Sequence, residues 1–215
     1  TVDGEEKLAG RTHLTAWRAP TDNDRNVKAY WFHETNWQGE NLDVPFEKVY
    51  AVSRDGNQIT VEGSLAGISR QPYFRFTKTV CVQADGRIDV TLSGRVGERV
   101  HWLPRLGFEV TAPAGEGVFC YFGYGPYESY CDMHHASRMG LYESTAAEEY
   151  VPYVRPQEHG NHYGTRLLRI GGFEITAERE FEFAVSEYST RALYEAQHTD
   201  ELQKDGLLHL RIDYR

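Results

Sequence analysis

The feature that most constrains the fold of this chain is a period-two alternation of apolar and polar residues along most of its length. The alternating runs are short and are separated by Gly, Pro, Asp or Asn, which is typical of antiparallel strands with one buried face. The turn signals at residues 55–57 (DGN) and 84–86 (ADG) predict a meander within residues 46–96. The sequence therefore predicts an all-β fold, with its clearest strands at residues 46–53, 58–65, 73–82, 87–96, 105–111, 117–122, 166–170, 173–177, 181–185 and 207–215.

Three segments depart from this alternation. Residues 26–37 carry apolar side chains near helical spacing, and residues 189–198 place them behind a Ser cap, so each segment is predicted to be a short helix. Residues 123–164 are rich in Tyr, Glu, Gly, Pro and His with little periodicity, which predicts a long loop that carries a function or a partner surface. Because no repeat, low-complexity tract or linker interrupts the chain, residues 1–215 are expected to form one β-sandwich domain.

Charge and cysteine content limit the expected partners and compartment. The chain has 23 Lys and Arg against 32 Asp and Glu, a net charge of −9, and its acidic residues are spread along the sequence. Nucleic acid and anionic membranes are therefore not expected as partners. Cys81, Cys120 and Cys131 form no disulfide or metal pattern, so free thiols in a reducing, cytoplasmic compartment are expected.

Both ends of the sequence indicate an excised fragment. The first ten residues lack Met, a basic region and an apolar stretch, so they do not resemble a signal peptide. The strand predicted at residues 207–215 stops without a turn. We therefore expect the domain to be truncated at both ends relative to its parent.

Residues 17–26 (WRAPTDNDRN) form the segment with the densest charge. Asp22 and Asp24 lie between arginines, including Arg18, and Asn23 is expected to hydrogen-bond the turn. A carboxylate pair suits glycoside hydrolysis, but the general acid of such a pair needs a raised pKa. Neighbouring arginines would lower both pKa values. The segment is therefore predicted to have a structural or interface role.

Residues 121–130 (YFGYGPYESY) combine aromatic rings with a carboxylate. Tyr124 and Tyr127 could stack on the C–H face of a sugar while Glu128 accepts hydrogen bonds from its hydroxyls. The alternative, which ordinary aromatic burial favours, is that these rings pack in the core or against another domain. Both interpretations stay open at this point.

The histidines at positions 134, 135, 159 and 162 invite a metal interpretation, because imidazoles at i and i+3 can share one ion. A third strong ligand at a defined spacing is missing, and a Gly lies between His159 and His162. Solvated or backbone-bonded imidazoles are the favoured interpretation, and no metal site is expected in this chain. The residues alone thus indicate an all-β domain with a candidate sugar surface.

Three ordered segments resemble a known family. Residues 18–24 (RAPTDND), 123–132 (GYGPYESYCD) and 153–161 (YVRPQEHGN), followed by 164–166 (GTR), are similar to segments of the last domain of the long bacterial β-galactosidases of glycoside hydrolase family 2. Together these segments extend over most of the chain.

The resemblance implies a large antiparallel sandwich, called a supersandwich and shared with galactose mutarotases. It also implies a parent enzyme that hydrolyses terminal β-galactosides with retention, using two Glu residues on a central TIM barrel and magnesium and sodium sites. No catalytic residue and no cofactor is then expected in this chain. The expected partners are the TIM barrel and other domains of the same polypeptide. The direct contact of this domain with galactoside is expected from a loop after residue 215, so the residues of this chain are expected to act on the substrate only indirectly. The parent is expected to be a homo-oligomer.

The resemblance and the motifs together give ten candidates for substrate-binding or interface residues. Two other functions are kept as alternatives: an independent galactoside-binding module, and an enzyme similar to aldose 1-epimerases. The ten candidates are Arg18, Asp22, Asn23, Asp24, Tyr124, Tyr127, Glu128, Glu158, His159 and Arg166.

Overall fold

The computed structural model describes residues 4–27, 37, 39–100, 103–115 and 117–214. Short antiparallel strands dominate this part of the chain, which confirms the predicted all-β class. The strands are β1 (His13–Thr15), β2 (Pro45–Asp55), β3 (Gln58–Gly67), β4 (Pro72–Val82), β5 (Ile88–Val96), β6 (Gly107–Pro113), β7 (Val118–Gly125), β8 (Arg138–Thr145), β9 (Asn161–Thr165), β10 (Leu167–Ile170), β11 (Phe173–Ile175), β12 (Phe181–Ser186) and β13 (Leu207–Tyr214).

The chain divides into two compact units. The first, which we call the sandwich unit, comprises Thr1–Asp22 and Arg105–Arg215, and the second, the meander unit, comprises Asn23–Pro104. The sandwich unit has a five-stranded sheet in the order β1-β6-β13-β12-β9 and a four-stranded sheet in the order β11-β10-β7-β8. The meander unit has one sheet in the order β2-β3-β4-β5. That residues 1–215 form one domain stays a prediction.

The core of the sandwich unit lies between its two sheets. Alternate residues of β7 point inward, so Phe119 and Tyr121 are buried while their neighbours are partly exposed. Phe183 of β12 meets both rings edge-on, with centroid distances of 5.6 Å to Phe119 and 5.2 Å to Tyr121. Leu168 of β10 and Leu210 of β13 extend the same cluster. These contacts confirm the predicted sandwich.

The meander unit follows directly from its turn signals. The tight turns after β2 and β4 contain Gly56 and Gly86, which have φ angles of 57° and 88°, values that residues with a Cβ rarely adopt. Strand pairing runs from β2 to β5 with two irregularities, between Val49 and Ala51 in the β2–β3 pair and between Leu65 and Ala66 in the β3–β4 pair. The predicted meander within residues 46–96 is thus confirmed.

Only short helices are present among the described residues. The prediction for residues 189–198 is confirmed by α1 (Thr190–Glu195), whose N-cap Ser189 accepts a hydrogen bond from Ala192 N at 3.1 Å. The prediction for residues 26–37 falls mainly on residues 28–36, which lie outside the described residues. The neighbouring residues Asn23–Val27 form a π-helical turn, and Thr199–Glu201 form a 3-10 turn. No helix in the described part of the chain has the length and hydropathy needed to cross a membrane.

The prediction of a continuous loop over residues 123–164 is wrong. The segment begins with the end of β7 and contains the whole of β8 and most of β9. Little alternation marks β8, because Met139 and Leu141 lie on an exposed face, with Leu141 70% exposed, and only Tyr142 packs against the core. Strand β9 is buried on both faces but carries Asn, His, Gly and Thr, so it has no apolar signal either.

Candidate functional site

The outer face of the five-stranded sheet, opposite the core, is polar and nevertheless buried. Along β13, Leu208 and Leu210 point into the core, while His209, Arg211 and Asp213 alternate with them onto this outer face. Arg211 is only 1% exposed. Buried charges need ion pairs and hydrogen bonds to offset their lost hydration, so the contacts of this face define a candidate site.

Arg105 is the centre of a charge network on this face. Its Nε donates to Asp213 Oδ1 at 3.2 Å, its Nη2 donates to Asp213 Oδ2, and its Nη1 donates to Glu158 Oε1 at 3.0 Å. The planar guanidinium thus makes a bidentate contact with Asp213 at the end of β13 and also binds Glu158. All three side chains are almost fully buried.

The electrostatics of this network favour permanent ionisation. Burial by itself would raise the pKa of Glu158, but the charges of Arg105, Arg211 and Arg18 outweigh burial and hold that pKa below its usual value. Burial would lower the pKa of Arg105, yet Asp213 and Glu158 raise it overall. A glycosidase general acid requires the opposite shift, a raised carboxyl pKa. Glu158 is therefore suited to holding structure and not to donating a proton.

Arg211 ties the helical region to the same face of the sheet. Its Nε donates to Thr190 Oγ1 at 2.9 Å and its Nη2 donates to the carbonyl oxygen of Tyr188 at 3.0 Å. Glu109 Oε1 of β6 lies 3.8 Å from the same Nε. The start of α1 is thereby fixed to β13.

Glu128 organises a second group of contacts, in the segment that joins β7 to β8. It accepts hydrogen bonds from Tyr153 Oη, from Tyr130 Oη at 3.1 Å and from the backbone N of Gly160 at 2.9 Å. Burial, followed by the contacts with Glu128, raises the pKa of both tyrosines. The tyrosines are therefore neutral donors, and Glu128 accepts three hydrogen bonds from within the same unit.

Asn161 joins the Glu128 contacts to the sheet. Its backbone oxygen accepts from Ser129 N at 2.6 Å, and its Nδ2 donates to Ser129 O at 2.8 Å and to Glu182 Oε2 at 3.0 Å. Glu182 lies on β12 directly opposite Asp213. The two groups of contacts, around Arg105 and around Glu128, therefore share one sheet surface.

The first motif joins the third by backbone contacts. The N–H of Asp22 donates to Gln157 Oε1 at 2.6 Å, and the N–H of Glu158 donates to Ala19 O at 3.2 Å. Half-buried Arg18 adds its charge next to Glu158. Residues 18–22 of the first motif and the other two motif segments are thus brought together within the sandwich unit.

Several predicted site residues lie outside this arrangement. Asn23 is exposed and Asp24 is buried at the start of the π-helical turn, in the meander unit. Tyr127 is 67% exposed. Arg166 lies on the surface, in an exposed ion pair with Glu180 whose N–O distance is 2.7 Å. Tyr124 is half-buried in a surface group of aromatic rings with His134 and Tyr163.

The histidines bond mainly to the backbone, as predicted. The Nδ1 atoms of His134, His159 and His162 lie 3.0, 2.8 and 3.3 Å from carbonyl oxygens. His162 Nε2 also lies 2.8 Å from Glu149 Oε2, and both side chains are buried away from any surface that a sugar could reach. The described residues bring together no group of three His, Cys, Asp or Glu side chains that could hold a metal ion. The cysteines are free thiols, as predicted.

The residues that sequence reasoning missed are the long-range partners. Arg105 and Asp213 are 108 positions apart, and Asn161 and Glu182 come from different strands. No local motif surrounds Arg105, so only its burial, visible in the folded chain, reveals its role. The period-two pattern of β13 does place His209, Arg211 and Asp213 on one face, and three polar residues there could have indicated a buried polar surface.

A shallow cleft lies elsewhere, on the polar face of the meander sheet. It has a volume of about 350 Å³ and is lined by residues that include Tyr50, Glu62, Arg75 and Arg95. None of the ten predicted site residues contributes to it. The predicted motifs therefore do not converge on this cleft.

Taken together, the fold and these contacts define an all-β domain whose motif residues fix loops to one sheet face. The family to which it belongs follows from comparison with known proteins. The profile of the family described as "Beta galactosidase small chain" matches residues 1–215, and the chain belongs to that family.

Individual relatives agree with this assignment. A β-galactosidase of Actinobacillus pleuropneumoniae is 33% identical over 203 residues, which cover 93% of this chain and 20% of that protein. The β-galactosidase of Streptococcus thermophilus is 31% identical, with 98% and 21% covered, and that of Staphylococcus xylosus is 29% identical, with 96% and 21% covered. The chain therefore spans about a fifth of the length of the relatives it matches.

Proposed function

We propose that this chain is a non-catalytic domain of a β-galactosidase that hydrolyses terminal non-reducing β-D-galactosides. In this proposal the domain packs on the catalytic barrel and neighbouring domains and helps to shape the active site. Support comes from the relatives, which are β-galactosidases about five times as long as the part they share with this chain.

One observation carries the non-catalytic assignment. The buried carboxylate of the third motif, Glu158, is held ionised by arginines, and Glu128 is occupied by three donors. A retaining glycosidase needs two carboxyl groups about 5 to 5.5 Å apart with open space for a sugar between them, and one of the two must have a raised pKa. The motif residues instead hold segments of chain against the sheet.

The proposed role is to position a neighbouring part of the enzyme. Asp213, near the end of β13, is fixed by Arg105, so the chain leaving this strand starts from a defined place. A misplacement of about 1 Å in an active site can reduce the rate about a hundredfold. Loss of the Arg105 or Glu128 contacts is therefore expected to affect turnover from a distance.

The parent enzyme is proposed to use a retaining mechanism with two Glu residues on its barrel. The first Glu attacks the anomeric carbon, the second protonates the leaving oxygen, and the second then activates the water that releases the sugar. The magnesium and sodium implied for the parent are proposed to bind outside this chain. The parent is further proposed to be cytoplasmic and homo-oligomeric.

Glu128→Gln in the full-length polypeptide tests the positioning role. Glutamine replaces one carboxylate oxygen by an NH2 donor, so it cannot accept all three hydrogen bonds. The value of kcat is therefore expected to fall about ten- to a hundredfold, while the shape of the pH–rate profile is unchanged. Glu148→Gln, at an exposed position in the same unit, serves as the control and should keep full activity. A changed pH profile, or complete loss of turnover in a folded Glu128→Gln protein, would instead identify Glu128 as catalytic.

The alternative of an independent galactoside-binding module is supported by one feature. Tyr127 is 67% exposed next to Glu128, and the rings of Tyr124, His134 and Tyr163 adjoin one another in the same unit. Calorimetric titration of the isolated 215-residue chain with lactose separates the two functions. Saturable millimolar binding that is lost in Tyr127→Ala would favour the module, whereas no heat of binding favours the packing role.

A further inference from the structure

The meander sheet has one apolar face that is exposed. Cross-strand register places Val52, Val61 and Leu92 in one row and Ile59, Val80 and Val90 in a second row two residues away, so both rows lie on the same side. Val82 and Ile88 pair at its end. We call this set of eight residues the apolar face.

The side chains of the apolar face are not single scattered hydrophobes. Val52 is 63% exposed, Ile88 56%, Val90 49%, Val82 48% and Ile59 40%. Contiguous apolar surface of this kind is unusual on soluble proteins and marks an interaction surface. The opposite face of the same strands is polar, with Ser53, Thr60, Thr79 and Thr91 across one row.

Such one-sided alternation is the pattern of a sheet that is covered on its apolar side. In the sandwich unit the same pattern along β7 is buried because a second sheet lies over it. The apolar face of the meander has the residue types for the same packing, since five of its eight members are Val, two are Ile and one is Leu.

We propose that the apolar face packs against an apolar surface of the same polypeptide that lies outside residues 1–215. This inference rests on the proposed function, because it takes the rest of a β-galactosidase as the partner. The relatives extend far beyond the fifth of their length that this chain matches, so a large amount of chain is available. A covalently linked partner is also present at a high effective concentration.

Lys78 argues against a second copy of this chain as the partner. It lies between Val61 and Leu92 in the first row of the apolar face, and its side chain is half-buried. Two copies stacked face to face about a twofold axis would bury both Lys78 ammonium groups among apolar side chains. Like charges that lose their hydration without a counter-ion are costly.

The same lysine adds a chemical requirement for the covering surface. Among the described residues, no carboxylate forms an ion pair with Lys78. Once the face is covered, its ammonium group needs a compensating negative charge. The covering surface is therefore apolar with an Asp or Glu side chain opposite Lys78.

Cysteine labelling in the full-length polypeptide tests the packing. Val90→Cys places a thiol on the apolar face. The matched control Thr91→Cys places one at the next position in β5, on the polar face. Labelling with a maleimide, followed by mass spectrometry of the peptides, separates these thiols from the native ones. The Val90→Cys thiol is expected to react at least tenfold more slowly than the Thr91→Cys thiol in the native protein, and at the same rate after denaturation.

Equal native rates for the two thiols would overturn the proposal. Protection of Val90→Cys that disappears on dilution would also overturn it, because it would identify a second copy as the partner. Val52→Cys and Ser53→Cys on β2 give an independent pair in case a β5 variant does not fold. Both pairs are compared by far-ultraviolet circular dichroism with the unsubstituted protein.

Two further measurements keep the inferences separate. Lys78→Met in the full-length polypeptide is expected to lower the midpoint of thermal unfolding, because it leaves the facing carboxylate unpaired. A raised midpoint would contradict the predicted Asp or Glu.

Hydrolysis of a β-galactoside by the unsubstituted full-length polypeptide tests the proposed function. A protein that protects Val90→Cys but hydrolyses no β-galactoside would contradict the proposed function and leave the packing of the apolar face intact.

Discussion

Arg105 is a buried guanidinium whose loss of hydration is offset by carboxylates that approach it from two distant parts of the chain. Asp213 contacts it from β13, and Glu158 contacts it from the segment before β9. Because both carboxylates are themselves almost fully buried, each depends on the same cation. Single substitutions here should therefore have large effects on stability.

Arg105→Ala is expected to reduce the free energy of unfolding by about 3 to 5 kcal/mol, because it leaves two buried carboxylates without their partner. Arg105→Lys keeps the charge but loses the planar fork, so its cost should be smaller. Urea unfolding of both variants measures the difference. A cost below about 1 kcal/mol for the alanine variant, the range of exposed pairs, would show that the network is not buried in solution.

The pH dependence of stability should reflect the lowered pKa values of Glu158 and Glu109. In the unfolded chain a Glu carboxyl titrates near about 4.3. A lowered pKa in the folded state means that the unfolded state binds protons first, so stability is fully present above that value and decreases as the pH falls below about 5. Thermal unfolding followed between pH 7 and pH 4 should show a falling midpoint.

Glu158→Gln should flatten this acid dependence, since it removes one of the two buried carboxyl groups whose pKa is lowered. Glu178→Gln, at an exposed position, provides the comparison and should leave the dependence unchanged. If the midpoint of the unsubstituted chain rose on acidification, the direction of both pKa shifts would be wrong.

At this scale the sequence indicated which segments matter but not what they contact. The motif around Glu158 and the motif around Glu128 could be found locally, and the lowering of a carboxyl pKa by arginines was anticipated in the first motif. Arg105 could not be found, because its partners are set by strand pairing between residues far apart in sequence.

Strands with one apolar face were predictable as elements, and strands without one were not. The meander strands β2 to β5 and the core strands β7, β10 and β12 have clear alternation, and their structural bounds lie within three residues of the predicted ones. Strand β8 is mostly exposed and β9 is polar and buried, so neither gives a periodic apolar signal. Their formation depends on pairing with β7 and β12.

The contact between the two sheets of the sandwich should depend strongly on Phe183. Its ring lies among Phe119, Tyr121 and His162, and the side chain is fully buried. Phe183→Ala is expected to cost about 3 to 5 kcal/mol of unfolding free energy through lost burial and a cavity. Leu141→Ala on β8, at a side chain that is 70% exposed, should change stability by less than about 0.5 kcal/mol. Similar costs for the two variants would contradict the assignment of the core.

The chain has one polar sheet face that is buried and one apolar sheet face that is exposed. The outer face of the five-stranded sheet is occupied by its own charge network, whereas the apolar face of the meander is exposed. A chain that spans about a fifth of its β-galactosidase relatives and leaves such a face open is suited to packing within a larger enzyme. The family could be anticipated from three short motifs, but this division of surfaces could not, because it depends on which faces other segments cover.

The central claim is that this chain is a non-catalytic part of a β-galactosidase. Its most direct test is hydrolysis of nitrophenyl β-D-galactopyranoside by the full-length polypeptide and, in parallel, by the 215-residue chain at the same molar concentration. We expect turnover by the full-length polypeptide and none above background by the chain alone. Turnover by the chain alone, or no turnover by the full-length polypeptide, would contradict it.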